Sequence, residues 1–281
     1  MIVSIIGVGL MGSSIAKDLR ARGFASTFLG VGRDKGNLQT AIDLGIINEA
    51  VSIEEAISKS DVILLGTPVN TMISLLPTIL DGITDNTTVI DIGSTKEELC
   101  SSIREHKNRA KFVAAHPIAG TENKGAAAAI NNLFDNKTCI ICESELSSEQ
   151  ALNTSKRLFQ CLKMDIIEMS AKDHDLHLAY VSHLSHVISY TLGSTVLELE
   201  KDESKILELA GSGFASTARL AKSGPDMWVP IYEQNTSNVI RAVDAYIKQL
   251  SQFKTILEEK KFDELREYIL NANKIRKVLQ K

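Results

Sequence analysis

The sequence predicts an α/β protein in two parts. A doubly wound, mostly parallel sheet covers residues 1–170, and an all-helical domain covers residues 171–281. Three observations carry this. Short apolar runs alternate with helix-start signals through the first half, the pattern of right-handed βαβ units. A glycine-rich turn, Gly7-Val8-Gly9-Leu10-Met11-Gly12, joins the first apolar run to the first helix. From Asp173 onward turn punctuation thins and helix-spaced stretches take over.

The elements follow in order. Strands are expected at Ile2–Ile6, Thr27–Val31, Asp61–Leu65, Thr88–Ile92, Phe112–Ala115 and Thr138–Cys142. The first helix runs from Gly9 or Leu10 to Arg22, with Gly23 as its stop. Ser52-Ile53-Glu54-Glu55 and Thr95-Lys96-Glu97-Glu98 both fit the capping box, in which a hydroxyl and a glutamate satisfy the first free amides of a helix. A helix over about Ser148–Leu162 and a strand over about Met164–Met169 finish the half. Beyond it, Ala171–Glu200 reads as one long helix or two joined ones. Lys205–Leu209, Val229–Phe253 and Phe262–Leu279 read as helices, with Val239, Val243, Tyr246, Ile247 and Leu250 at helical spacing. No proline- or serine-rich linker marks the boundary near residue 170, so a continuous helix should join the halves.

Composition narrows the class. The 281 residues are 44% hydrophobic and 23% charged, with a net charge of −4. A mildly acidic balance argues against a nucleic-acid partner, which needs a dense basic face. No apolar run reaches the ~18 residues of a membrane helix. The chain enters a strand directly after Met1 with no basic, apolar leader, so a cytoplasmic location is expected. Cys139 and Cys142 form a CxxC within a strand, where positions three apart face opposite ways, so buried reduced thiols are expected rather than a redox or zinc pair.

The glycine-rich turn has the placement of a dinucleotide site. Gly7 permits the tight turn, Gly9 admits a pyrophosphate to the backbone, and Gly12 lets the helix pack on the strand. The amides of Leu10 and Met11 open the helix toward the phosphates. The end of the second strand selects between the two nicotinamide cofactors. There Leu29-Gly30-Val31-Gly32-Arg33-Asp34 puts Gly32 at the usual acidic position, followed by Arg33. A guanidinium suits a 2′-phosphate, which favours NADP. NAD remains the alternative, because a shift of one or two residues would place Asp34 on the ribose. Thr67 and Pro68, at the end of a core strand, should border the cofactor.

Two features have the placement of chemistry. His116, beginning His116-Pro117-Ile118-Ala119-Gly120-Thr121-Glu122, follows a strand and would face the cleft, where a neutral imidazole accepts a proton as hydride leaves the same carbon. Its bland alternative is to brace the loop. Ser94 is placed alike, to bond the reacting oxygen or to cap a helix. The second half adds two histidine pairs, His174 with His177 and His183 with His186. On one continuous helix at ~100° per residue, His183 lies opposite His174 and His186 opposite His177. The four then cannot converge, and no metal site is expected. Gly211-Ser212-Gly213-Phe214 releases into a helix carrying Arg219, a residue able to grip a substrate carboxylate with two bonds. Met227-Trp228 carries the single tryptophan, expected as packing.

Taken in order and spacing, these segments resemble the prephenate/arogenate dehydrogenases of tyrosine biosynthesis. The resemblance rests on Gly7 to Ala16, Gly93-Ser94, His116 to Glu122, Ser182-His183-Leu184-Ser185-His186, Gly213-Phe214 leading to Arg219, and Pro225-Asp226-Met227-Trp228. It implies a Rossmann-like domain followed by a helical domain that pairs two subunits into a homodimer. It also implies oxidative decarboxylation of a small anionic cyclohexadienyl acid, with hydride passing to the nicotinamide and the ring becoming aromatic. By the family's pattern His116 takes the hydroxyl proton, Ser94 orients that oxygen, and His186 or His183 stands near substrate and nicotinamide. Arg219 holds a carboxylate, and Thr121 and Glu122 shape the pocket mouth. Ala215-Ser216 replace the charged pair common among relatives, and the second strand lacks the acidic end of NAD-using members. Two other readings share the fold: a β-hydroxyacid dehydrogenase, which would need a helix-borne catalytic lysine, and a non-catalytic dinucleotide-binding protein.

Overall fold

The structure, a computed structural model, describes residues 1–200 and 206–279. Among the described residues, eight strands form one sheet in the order β3-β2-β1-β4-β5-β6-β7-β8. In chain order the first half runs β1 (Ile2–Ile6), α1 (Leu10–Ala21), β2 (Thr27–Val31), α2 (Lys35–Asp43), β3 (Glu49–Ala50), α3 (Ile53–Lys59), β4 (Val62–Leu65), α4 (Val69–Gly82), β5 (Thr88–Asp91) and α5 (Glu97–Ser102). It ends with β6 (Phe112–Pro117), β7 (Thr138–Cys142), α6 (Glu149–Cys161) and β8 (Asp165–Met169). Strands β1 to β6 are parallel, and β7 pairs antiparallel with β6 before β8 pairs parallel with β7. An antiparallel neighbour needs no crossover helix. Residues 118–137 therefore connect β6 to β7 as a loop lying on α1, held by Ser14, Asp18 and Arg22.

The strands are near-continuous apolar runs because both faces are covered. Val3, Ile5 and Ile15 lie in one buried cluster, and Ile63, Leu65 and Leu76 in the other. Cys139 falls in the first and Cys142 in the second, both free, as a period of two requires. Local chemistry sets the helix ends. Gly23 stops α1 at φ +71°, and the Ser52 hydroxyl accepts from the Glu55 amide. The second capping box does not form. Lys96 occupies the cap position without a side-chain cap, and Thr95 turns its hydroxyl to Gln234 at 2.5 Å. The free amides of Lys96 and Glu97 are satisfied by the carboxylate of Asp175, at 2.8 and 2.9 Å. A capping acceptor 78 residues away cannot be seen in the local pattern.

The helical half comprises α7 (Ala171–Leu178), a π-helical turn (Ala179–His183), α8 (Leu184–Glu200), α9 (Ser212–Ala218), α10 (Pro225–Gln234), α11 (Thr236–Glu258), α12 (Phe262–Ala272) and α13 (Arg276–Leu279). Four expectations change. The π-helical turn breaks the 100° phase assumed for one continuous helix, so His183 does not lie opposite His174. The helix expected over Val229–Phe253 divides at Asn235, whose side chain donates to the Asp175 carbonyl and bonds His183. Arg219 lies not within the helix after the glycines but on the 3₁₀ turn Arg219–Lys222 that follows it. Of the expected Lys205–Leu209 helix, Lys205 lies outside the described residues, and Ile206–Leu209 is a 3₁₀ turn. No helix among the described residues is long and apolar enough to cross a membrane.

Candidate active site

Strand order reverses between β1 and β4, and at such a switch point ligands bind beyond the carboxyl ends of the strands. That edge carries Gly7 after β1, Arg33 after β2, Thr67 after β4, Ser94 after β5 and His116 at the end of β6. His116 is therefore part of its strand rather than following it.

The glycines fit a dinucleotide. Gly7 holds φ +98°, and a Cβ there would strike the backbone of Gly66 and Thr67 at 2.6–2.7 Å. A Cβ on Gly12 would meet Ile5 at 2.7 Å, so α1 packs as closely as glycine allows. Gly9 faces open space, with nothing within 4 Å. The first turn of α1 has no acidic residue and no side-chain cap, leaving the amides of Leu10 and Met11 and the helix dipole for an anion. Beside this cradle the Thr67 hydroxyl is buried without a partner. Pro68 is exposed at the cap of α4. Arg33 is exposed, whereas Asp34 accepts the Asn37 amide at 3.0 Å and so is committed to starting α2.

The loop after His116 reaches this cradle. A Cβ on Gly120 would contact the Met11 sulfur at 3.7 Å, and the Asn37 side chain bonds both Val8 and Ala126. His116 is half-buried, and its Nδ1 lies 2.8 Å from Nε2 of His174. His174 is fully buried, with its Nδ1 2.7 Å from Asp175. Burial, then the nearby His174, Lys96 and His183, holds His116 well below its ordinary value of 6.5. Burial and Lys96 bring His174 down to about 2. Both rings are thus neutral near pH 7.

Under the site Lys96 and Asp91 form a wholly buried ion pair. Asp91 also accepts the amides of Gly93 and Ala115, tying the Ser94 loop to β6. Ser94 is half-buried, at the turn into α5.

From the helical half, His186 stacks on Trp228 at 3.5 Å between ring centres and bonds the Ser182 carbonyl. His183 is buried, edge-on to Trp228, and bonded to Asn235. Arg219 is exposed and stands 3.9 Å from Glu122, a contact that spans the two halves. Burial holds His186 below 6.5, and the Arg219 charge adds to that. Thr121 accepts the Asn123 amide at 3.2 Å.

The structure thus gathers Gly7, Gly9, Gly12, Thr67, Ser94 and His116 on one edge, with Arg219 and Glu122 paired at the rim and His186 beside Trp228. His183 stays behind Trp228. Sequence reasoning missed His174, Asp175 and Lys96 as parts of the site. His174 was visible only through its pairing with His177 on an assumed straight helix, and Trp228 supports histidines rather than merely filling space.

A Rossmann sheet with an open phosphate cradle, and a neutral histidine across the switch-point edge, defines a nicotinamide-dependent dehydrogenase with a helical second domain. The match to known proteins is specific. Residues 15–168 fit the family model of the prephenate dehydrogenase nucleotide-binding domain, and residues 170–271 fit that of the prephenate dehydrogenase dimerization domain. The chain belongs to the prephenate dehydrogenase family. It is 32% identical to the A. aeolicus prephenate dehydrogenase solved with hydroxyphenyl propionate and NAD+, with 100% of this chain and 98% of that one covered and a TM-score of 0.91. It is 29% identical to the cyclohexadienyl dehydrogenase of Zymomonas mobilis, over 99% of this chain and 96% of the relative. A Synechocystis arogenate dehydrogenase structure is 25% identical, with 98% of this chain and 99% of that one covered and a TM-score of 0.78. The protein is accordingly an oxidoreductase of the prephenate/arogenate class, catalysing oxidative decarboxylation of a cyclohexadienyl acid. The β-hydroxyacid dehydrogenase reading is not favoured.

Proposed function

We propose that His116 is the base of this reaction, that NADP is the preferred cofactor, and that the enzyme works as a cytoplasmic homodimer. The observation that carries the first part is the neutral His116 ring, fixed at Nδ1 on the strand edge beside the phosphate cradle. When bound, the nicotinamide supplies the hydride acceptor. The chain's part is to hold the ring carbon and receive the proton, because aromatisation supplies driving force.

Gly7, Gly9, Gly12 and the amides of Leu10 and Met11 hold the pyrophosphate, with Thr67 and Pro68 at the nicotinamide side. Arg33 takes the 2′-phosphate. Gly32 leaves no acidic group at the strand end, and Asp34 is committed to capping α2. His116 accepts the substrate hydroxyl proton and Ser94 orients that oxygen. His186 stands beside the ring, Arg219 holds a carboxylate, and Thr121 and Glu122 shape the mouth. His183 supports this wall from behind Trp228.

The unit that binds the dinucleotide spans residues 1–170, and residues 171–281 form the substrate and dimerisation unit. Pairing of two subunits is supported by apolar side chains left exposed on α11 and α12, among them Ile247, Leu250 and Ile269. The free thiols suit a reducing compartment.

The test is cofactor reduction with prephenate and with arogenate, each with NAD and NADP. Turnover of either acid with NADP preferred is the expected outcome, and a clear preference for NAD overturns the cofactor choice. His116→Asn should lower kcat by roughly 10²–10⁴-fold, the range for loss of a general base, while cofactor affinity stays unchanged. Near-normal turnover refutes the proton role.

A further inference from the structure

We propose that His174 and Asp175 are positioning residues that fix the tautomer of His116, leaving its Nε2 bare to receive the substrate proton. The inference rests on the reading of His116 as the base and deepens it.

The argument runs from the fixed donors outward. Backbone amides can only donate. The Lys96 amide donates to Asp175 Oδ1 at 2.8 Å and the Glu97 amide to Oδ2 at 2.9 Å. Both oxygens are therefore acceptors, clamped at the start of α5 by atoms that cannot exchange roles. His174 Nδ1 meets Oδ1 at 2.7 Å, so it carries the proton. A neutral imidazole has one N–H, so His174 Nε2 is an acceptor. That nitrogen faces His116 Nδ1 at 2.8 Å, which places the His116 proton on Nδ1. His116 Nε2 is then the lone-pair nitrogen, and no partner within the described residues occupies it. Burial and the neighbouring Lys96 keep both rings neutral, which the scheme needs.

The order of the chain matters. A free imidazole samples both tautomers, and only one of them has its base at Nε2. Asp175 does not take the proton. It orients His174 and also holds down the helix beginning beside Ser94. His174 is 0% exposed and cannot touch substrate. Its effect passes through His116.

The test uses the full-length enzyme labelled with ¹⁵N at its six histidines. Imidazole ¹⁵N–¹H spectra report which nitrogen of each ring is protonated, and His116→Asn assigns the His116 signals. The wild type should show His116 protonated at Nδ1 and bare at Nε2. His174→Leu should move the His116 proton partly or wholly to Nε2. It should lower kcat by roughly 10–100-fold, as loss of an orienting partner of a functional histidine does, with both KM values within a few-fold. His174→Gln places an amide oxygen where Nε2 was, so it should keep the Nδ1–H form and return most of the rate. A wild-type His116 protonated at Nε2 overturns the proposal. So does His174→Leu at wild-type kcat, or His174→Gln as slow as His174→Leu. If His174→Leu does not fold, the wild-type tautomer and the rate of His174→Gln decide it. Full turnover by His116→Asn sinks the base reading instead, an outcome distinct from all of these.

Discussion

The sheet domain buries two large apolar clusters, one of them completed by Leu178, Trp228 and Ile231 of the helical half, whereas the helical domain buries little of its own. Both faces of the sheet carry large buried clusters, running from Val3 through Met164 on one side and from Ile6 through Leu80 to Phe112 on the other. The cluster proper to the helical half has only Ala179, Val239 and Ala242 fully buried, while Ile240, Ile247, Leu250, Ile269 and Leu270 stay exposed. An exposed apolar face of this extent marks an interaction surface, in keeping with the dimerization domain matched there. The comparison teaches that the sheet half buries most of its apolar surface within itself, while the helical half buries part of its own against the sheet, through Leu178, Trp228 and Ile231, and leaves the rest exposed.

The largest effect should come from breaking the sheet domain at its buried charge. Lys96→Met leaves Asp91 without its cation, at zero exposure. Removing one partner of a buried pair costs about 3–5 kcal/mol. Denaturant unfolding should report that loss, and a change below about 1 kcal/mol would show that burial already keeps the Asp91 carboxyl protonated. The matching break in the helical half is Ile247→Lys with Leu250→Lys. Light scattering should then report a monomer at micromolar protein, with the sheet domain's unfolding transition retained. A dimer that persists would place the subunit interface elsewhere.

The same contrast explains what the sequence made legible. Ile2–Ile6, Thr27–Val31 and Thr138–Cys142 emerge with the expected bounds, because a strand buried on both faces writes its whole length in apolar residues. The glycine turn was readable because Gly7 and Gly12 answer local steric demands, while Gly9 keeps the space beside them open. The cap on α5 was not, since Thr95 is drawn to Gln234 and Asp175 caps in its place. Nor was the π-helical turn, a single extra step in phase that leaves apolar spacing nearly unchanged. The break at Asn235 is fixed by a hydrogen bond to Asp175 rather than by any local stop signal. Site residues on the sheet edge could be named from position alone, whereas His174 joins the site through bonds to His116 and Asp175 that no local pattern announces.

Arg219→Ala probes the seam between the halves, where its guanidinium faces Glu122. A hydrogen bond to a charged group contributes about 1.5–3 kcal/mol, so the substrate KM should rise roughly 10–100-fold. kcat should fall much less. An unchanged KM would remove Arg219 from the carboxylate site.

The smallest effect separates the halves by pH. Burial, partly offset by Asp175, holds His183 down to about 4 in the folded chain, against an ordinary value of 6.5. Between those values the unfolded chain binds a proton at this position and the folded chain does not. Stability therefore falls as pH drops from 6.5 toward 4, by up to about 1.4 kcal/mol per pH unit for this one group. Asp91 and Asp175, pushed up by burial, act in the opposite direction, so the total slope does not isolate the histidine. The difference between two chains does. His183→Asn keeps an oxygen where Nδ1 accepts from Asn235, and it cannot titrate. Its unfolding free energy should decline less than the wild type's between pH 6.5 and 5, and the two curves should run parallel above pH 7. Parallel curves throughout would mean that His183 is already solvated in the folded chain, and that the wall behind Trp228 is looser than the sheet it leans on.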